Sequence, residues 1–135
     1  MAAIRALIVD DAAWVRQDLR TVLTLAGETG KEKRIEIVGE AADGMEAIRQ
    51  ADVLQPDVIL MDLEMPVLEG YKAAQQIKAH IPACRVIALT VHDYEAARRK
   101  AFEARMDDFI VKGTDVCALV QVISGIKKEG VNHGS

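Results

Sequence analysis

The sequence predicts an α/β fold in which five βα units build a doubly wound parallel sheet. Three observations predict it. Apolar runs of strand length recur five times along the chain, and most are continuous rather than alternating. Between them lie longer stretches with apolar residues at helical spacing. Continuous apolar strands that alternate with amphipathic helices are what a parallel sheet covered on both faces requires.

Each element has its own signals. Ala6-Leu7-Ile8-Val9 is the first strand and runs into Asp10-Asp11. Trp14, Val15, Leu19, Val22, Leu23 and Leu25 then recur at helical spacing, and Gly27 suits a helix stop. Glu28 to Arg34 reads as a charged loop. Ile35-Glu36-Ile37-Val38-Gly39-Glu40 alternates at first, as an edge strand would. Asp43 can cap the second helix, with Glu46 as its capping-box partner, and that helix runs to about Leu54. Pro56 interrupts, and Asp57 to Asp62 is the central strand. A helix spans about Gly70 to His80, and Pro82 closes the connection. Arg85 to Thr90 is a buried strand, Asp93 caps a helix through Glu95 to Arg105, and Asp108 to Lys112 is the last strand. Thr114 or Asp115 then caps a helix bearing Leu119, Val120, Ile123 and Ile126. Residues 1–128 form one domain, and 129–135 are a polar tail.

The 135 residues are 50% hydrophobic and 28% charged, an ordinary balance for one globular domain. A net charge of -4 argues against general nucleic-acid binding, which usually shows as a basic domain. Cys84 and Cys117 form no CxxC pair and are expected as buried free thiols. No stretch resembles a secretory signal or reaches the length of a membrane span, so a cytoplasmic protein is expected.

In open parallel sheets the functional crevice lies beyond the carboxyl ends of the strands. The first strand ends in Asp10-Asp11, the third in Asp62, the fourth in Thr90 and the fifth in Lys112. Three carboxylates, a hydroxyl and an ammonium therefore meet on one rim. Like charges about 4 Å apart repel by roughly 4 kcal/mol at an effective dielectric near 20. Such a group needs a cation or a raised pKa. Oxygen-only ligands favour a hard ion such as Mg2+, with Mn2+ as a substitute. A carboxylate can accept a phosphoryl group as a nucleophile, and Lys112 and Thr90 can hold its oxygens. The set fits phosphoryl transfer onto Asp62.

LIVDD, VILMDLEMP followed by Gly70, ALT and FIVK together resemble the receiver domain of two-component response regulators, from about Ile4 to Lys128. The resemblance implies a flavodoxin-like (βα)5 sheet of order 2-1-3-4-5. It implies that Asp62 is phosphorylated by a sensor histidine kinase or a phosphotransfer protein. Asp11, Asp62 and the backbone carbonyl of Glu64 would ligate Mg2+, with Asp10 acting through water. Thr90 and Lys112 would hold the phosphoryl group, and Phe109 would be the aromatic switch. The output surface would run from about Asp93 to Ile126.

VGEAADGMEAI and a lysine followed by a non-proline are most similar to the NarL/LuxR-type subgroup. That likeness implies regulation of transcription through a DNA-binding domain outside this chain, with a phosphorylation-dependent homodimer. The alternative is a stand-alone receiver acting through protein contacts. Gly113 stands where many receivers have proline, so a trans bond is expected there. Glu64, Val91 and His92 flank the reaction path and are candidates to tune its rate. Trp14 is expected to report cation binding, and Arg98, Arg99, Lys100 and Arg105 to form either a solvated face or a docking surface. An aspartyl-nucleophile phosphatase would usually carry an acid/base Asp where Glu64 stands, together with a cap insertion. A dinucleotide-binding domain would carry GxGxxG after the first strand, which is missing here.

Overall fold

A computed structural model of the chain describes residues 3–29, 34–65, 68–91 and 94–125, without the side chains of 27–29. The elements are β1 (Ile4–Val9), α1 (Ala13–Thr29), β2 (Ile35–Ala41), α2 (Gly44–Leu54) and β3 (Val58–Asp62). They continue as α3 (Gly70–His80), β4 (Arg85–Thr90), α4 (Glu95–Glu103), β5 (Asp108–Val111) and α5 (Val116–Ser124). The five strands are parallel, in the order β2-β1-β3-β4-β5. The alternating pattern of β2 thus belongs to an edge strand, and the continuous runs of β1 and β3 to strands with a neighbour on each side.

Strand pleating sends alternate residues to opposite faces. Leu7, Val9, Ile59, Met61, Val86 and Ala88 form one core with Ala47, Ala51, Ala73 and Ile77 of α2 and α3. Ala6, Ile8, Val58, Leu60, Ile87 and Leu89 form the other with Leu23 of α1 and Leu119, Val120 and Ile123 of α5. The small residues of α2 and α3 let those helices lie close to the sheet.

Several local expectations are corrected. Helix α1 does not stop at Gly27 but continues to Thr29. A mid-helix glycine costs about 1 kcal/mol against alanine, and a long packed helix tolerates that. Helix α4 ends at Glu103 rather than Arg105, which has a positive φ of 65°. Lys112 lies just past β5. Asp115 takes the N-cap position of α5 without a side-chain cap bond, and the Thr114 hydroxyl donates back to the Val111 carbonyl. Cys84 is buried as expected, but Cys117 is exposed on the first turn of α5. The capping box of α2 is half made: Glu46 N–H donates to Asp43 Oδ1 at 2.9 Å, but the Glu46 carboxylate accepts from Ala42 N–H, one residue before the cap. The Asp93 cap, Ile126 and the tail lie outside the described residues.

Candidate functional site

The site stands at the carboxyl ends of β1, β3, β4 and β5. Parallel pairing places Met61 beside Val9, Leu89 beside Asp62 and Val111 beside Thr90. Residues distant in sequence therefore share one rim. Asp62 follows Val58 and Leu60 in the pleat, so its side chain rises from a buried row. Gly70, at the start of α3, lies against the backbone of Asp62. A Cβ at position 70 would sit 1.9 Å from the Asp62 carbonyl oxygen. The Gly70 N–H also donates to the Leu63 carbonyl at 3.0 Å. This close approach is why glycine follows VILMDLEMP at that distance.

The carboxylates of Asp10, Asp11 and Asp62 offer oxygens that all lie within 4.8 Å of one another. Asp10 and Asp62 are only 1% and 6% exposed, whereas Asp11 faces solvent. Lys112 Nζ lies 2.8 Å from Asp10 Oδ2 and 3.8 Å from Asp62 Oδ2. One ammonium therefore faces two buried carboxylates and is closer to Asp10. Asp62 Oδ1 accepts from Glu64 N–H at 3.2 Å. Burial pushes the Asp62 carboxyl up to about 6, and the Asp10 charge adds to the effect. The Glu64 N–H and Lys112 pull the other way without cancelling it. Asp62 carries a charge for which its surroundings hold too little compensation.

Thr90 is buried at 2% exposure, and its carbonyl accepts from Lys112 N–H at 2.6 Å. The Lys112–Gly113 bond is trans, and Gly113 takes a φ of +93° that turns the chain into α5. Phe109 is half-buried against the core beneath α3 and α4, with the Arg98 guanidinium 4.6 Å from its ring centre. Glu64 and Val91 are exposed at the rim. His92 lies outside the described residues, so the expected Glu64–His92 pair does too. Trp14 is 74% exposed, and with Lys112 and Thr114 it lines an apolar groove of about 240 Å3 between α1 and α5.

The family described as response regulator receiver domain matches residues 6–124. The chain belongs to the response regulator receiver family. This receiver is 34% identical over 124 residues to the chemotaxis protein CheY of Thermotoga maritima, covering 92% of this chain and 98% of that protein. It covers only 27% to 50% of the length of other curated relatives that it matches. Among solved structures, a LuxR-family two-component response regulator from Aurantimonas sp. SI85-9A1 superposes with a TM-score of 0.80. It is 31% identical, with 93% of this chain and 89% of that one covered. The receiver domain of the sensor histidine kinase PA1611 of Pseudomonas aeruginosa PAO1, described with magnesium coordinated in its active-site cleft, has a TM-score of 0.77. It is 28% identical, covering 90% of this receiver and 95% of that chain.

Some neighbours of the site were not legible in the sequence. Glu40, at the end of β2, accepts from Arg16 Nε at 3.0 Å and from Arg20 Nε at 2.7 Å. Burial alone would raise the Glu40 carboxyl, but Arg20 and Arg16 more than offset this and hold it below its ordinary value. The available signal was two arginines one helical turn apart in α1, facing the edge strand. Lys100 Nζ likewise lies 5.0 Å from the Tyr71 ring centre, bridging α4 to α3. Of the four cations near α4, two thus stack on rings, and Arg99 pairs with Glu95 at 3.6 Å.

Proposed function

We propose that Asp62 is the phosphoacceptor of this receiver. The observation that carries the reading is the convergence of three carboxylates around Asp62 with Lys112 Nζ 3.8 Å away. The donor set fits a hard divalent cation. It is all oxygen, it is clustered, and its charge exceeds what Lys112 can balance. Asp11, Asp62 and the Glu64 carbonyl would hold Mg2+, or Mn2+ in its place, with Asp10 acting through water. Bound there, the cation would offset the negative charge of the carboxylates and of phosphoryl oxygens.

The protein's own residues supply the remainder. An Asp62 carboxylate oxygen attacks the phosphorus of a phosphohistidine on a sensor kinase or phosphotransfer protein. The P–N bond breaks, its electron pair leaves with the imidazole, and an acyl phosphate forms. Lys112 and Thr90 hold phosphoryl oxygens. Water later attacks the phosphorus, restores the carboxylate and releases phosphate, so the protein is a signalling acceptor rather than a turnover enzyme. Glu64, Val91 and His92 tune these rates. Movement of Thr90 toward the phosphoryl group, with Phe109 turning inward, biases the surface of α4, β5 and α5 between two states.

The LuxR-type likeness supports an output in transcription, through a DNA-binding domain and phosphorylation-dependent pairing of two copies, in the cytoplasm. No helix among the described residues is long and apolar enough to cross a membrane. The test is incubation with Mg2+ and acetyl phosphate, followed by intact-mass measurement. The expected result is one added phosphoryl group, stable in acid and labile in base, on the wild type and not on Asp62→Asn. An adduct that persists in Asp62→Asn, or none on the wild type with either acetyl phosphate or a phosphorylated phosphotransfer protein, would overturn the assignment.

A further inference from the structure

We propose that Arg16 is a positioning residue for the cation site: anchored by Glu40, it fixes the backbone from which Asp10 and Asp11 present their carboxylates. The proposal rests on the reading of Asp10, Asp11 and Asp62 as that site. Arg16 Nη1 donates to the Asp10 carbonyl at 2.7 Å, while its Nε donates to Glu40 Oε1 at 3.0 Å. One guanidinium thus ties the end of β1 to the end of β2. The other Glu40 oxygen accepts from Arg20 Nε at 2.7 Å, and Gln50 Nε2 donates to the Glu40 carbonyl at 2.7 Å. Glu40 is therefore held from α1 and α2 before it holds Arg16.

The polar groups of Asp10 are all engaged. Its N–H donates to the Ala41 carbonyl at 3.1 Å, and its Oδ1 accepts from Ala12 N–H at 2.9 Å. Its Oδ2 faces Lys112 at 2.8 Å, and its carbonyl faces Arg16. The carbonyl lies between the Asp10 side chain and the Asp11 backbone. Its orientation therefore fixes the peptide plane from which the Asp10 and Asp11 side chains leave the backbone. Burial separates the two arginines on Glu40: the Arg16 side chain is 18% exposed and that of Arg20 is 45% exposed. Arg20 adds a bond to Glu40, whereas Arg16 carries the connection onward to the site.

A rigid fork can make two directed bonds to different elements, which a point charge cannot. Residues that orient ligands from behind commonly control metal affinity. The sign of the effect is diagnostic. Arg16 is a cation near a cation site, so charge alone would make its removal tighten Mg2+ binding. Positioning makes its removal weaken binding.

The experiment is calorimetric titration of the purified chain with MgCl2, for wild type, Arg16→Met, Arg16→Lys and Glu40→Gln. Arg16→Met should raise the Mg2+ Kd about tenfold. Arg16→Lys and Glu40→Gln should give smaller rises, because each keeps one part of the connection. At saturating Mg2+, phosphorylation of Arg16→Met by acetyl phosphate should return toward the wild-type rate. A residue that merely supports the fold would not give this separation of affinity from rate. Circular dichroism checks folding, and if Arg16→Met fails to fold, Arg16→Lys carries the test, because it keeps the charge and loses the fork. An unchanged or tighter Kd in the folded variants overturns the proposal. A wild type that binds no Mg2+ overturns the cation-site reading itself, and the positioning role with it.

Discussion

At the amino-terminal ends of the strands the acids find bases or backbone donors; around Asp62, at the carboxyl-terminal ends of β1, β3 and β5, acids outnumber bases. The Arg5 backbone N–H donates to Asp57 Oδ2 at 2.8 Å beneath β1 and β3, and its guanidinium donates to the Gln55 carbonyl at 2.8 Å. Lys78 Nζ reaches Asp107 at 3.0 Å and the carbonyls of Cys84 and Pro82, and Asp107 also accepts from Val86 N–H at 2.7 Å. Arg85 faces Asp108 at 3.5 Å and donates to the Ile123 carbonyl at 2.7 Å. At the other end, three carboxylates share Lys112. The two ends have similar chemical components and opposite balance. The matched end ties strands to helices, and its loss should cost stability. The mismatched end keeps a charge deficit that an incoming cation and phosphoryl group can use, and its relief should raise stability.

The largest expected effect tests whether the mismatched end is held rigidly. Gly70→Ala forces a Cβ against the Asp62 carbonyl, and overpacking of this kind should destabilise by about 3 kcal/mol in urea unfolding. It should also slow phosphorylation, since the displaced backbone carries the acceptor. At the matched end, Lys78→Met keeps the apolar stem but removes three charge-assisted bonds. A loss of about 2 kcal/mol is expected by the same measurement.

Asp62→Asn should have the opposite sign. Without divalent cations at pH 7, it should stabilise by about 2 kcal/mol, allowing for burial of the amide. The pH dependence follows from the raised pKa. The folded protein keeps the Asp62 proton up to about pH 6, while the unfolded chain releases it near the ordinary value of 3.8. The Asp62 contribution to wild-type stability therefore falls as pH rises through that window, and the advantage of Asp62→Asn opens across it. Below the window the two proteins should converge. An advantage that is the same at all pH values would mean that charge is not its cause. The smallest effect belongs to neither end. Arg99→Ala breaks an exposed pair on α4 and should change stability by less than about 0.5 kcal/mol.

Much of the fold was legible in the sequence because burial on both faces leaves a continuous apolar run, as in β1, β3 and β4. The edge position of β2 was legible in its alternation. The stop of α1 was misplaced at Gly27, because a glycine permits a helix end without imposing one, and α1 runs on to Thr29. The burial of Cys117 was misjudged for a related reason. Composition gives the preference of a thiol, but the face of a helix that meets solvent depends on how the helix packs. The register shift in the β1–β2 pairing, between Ala6 and Leu7 of β1, was equally unreadable, since it is a property of a strand pair.

The sequence by itself determined the number and kind of elements, the rim on which the chemistry stands, and the family that its motifs resemble. These are local or periodic properties, and side-chain pattern encodes them directly. Only the tertiary structure decided that Lys112 lies closer to Asp10 than to Asp62, and that Gly70 leaves room for the Asp62 backbone. It alone showed that Arg16 joins Glu40 to the Asp10 carbonyl. Each of these is a distance between residues far apart in the chain. Such distances are fixed by how the strands pair and how the helices settle on the sheet.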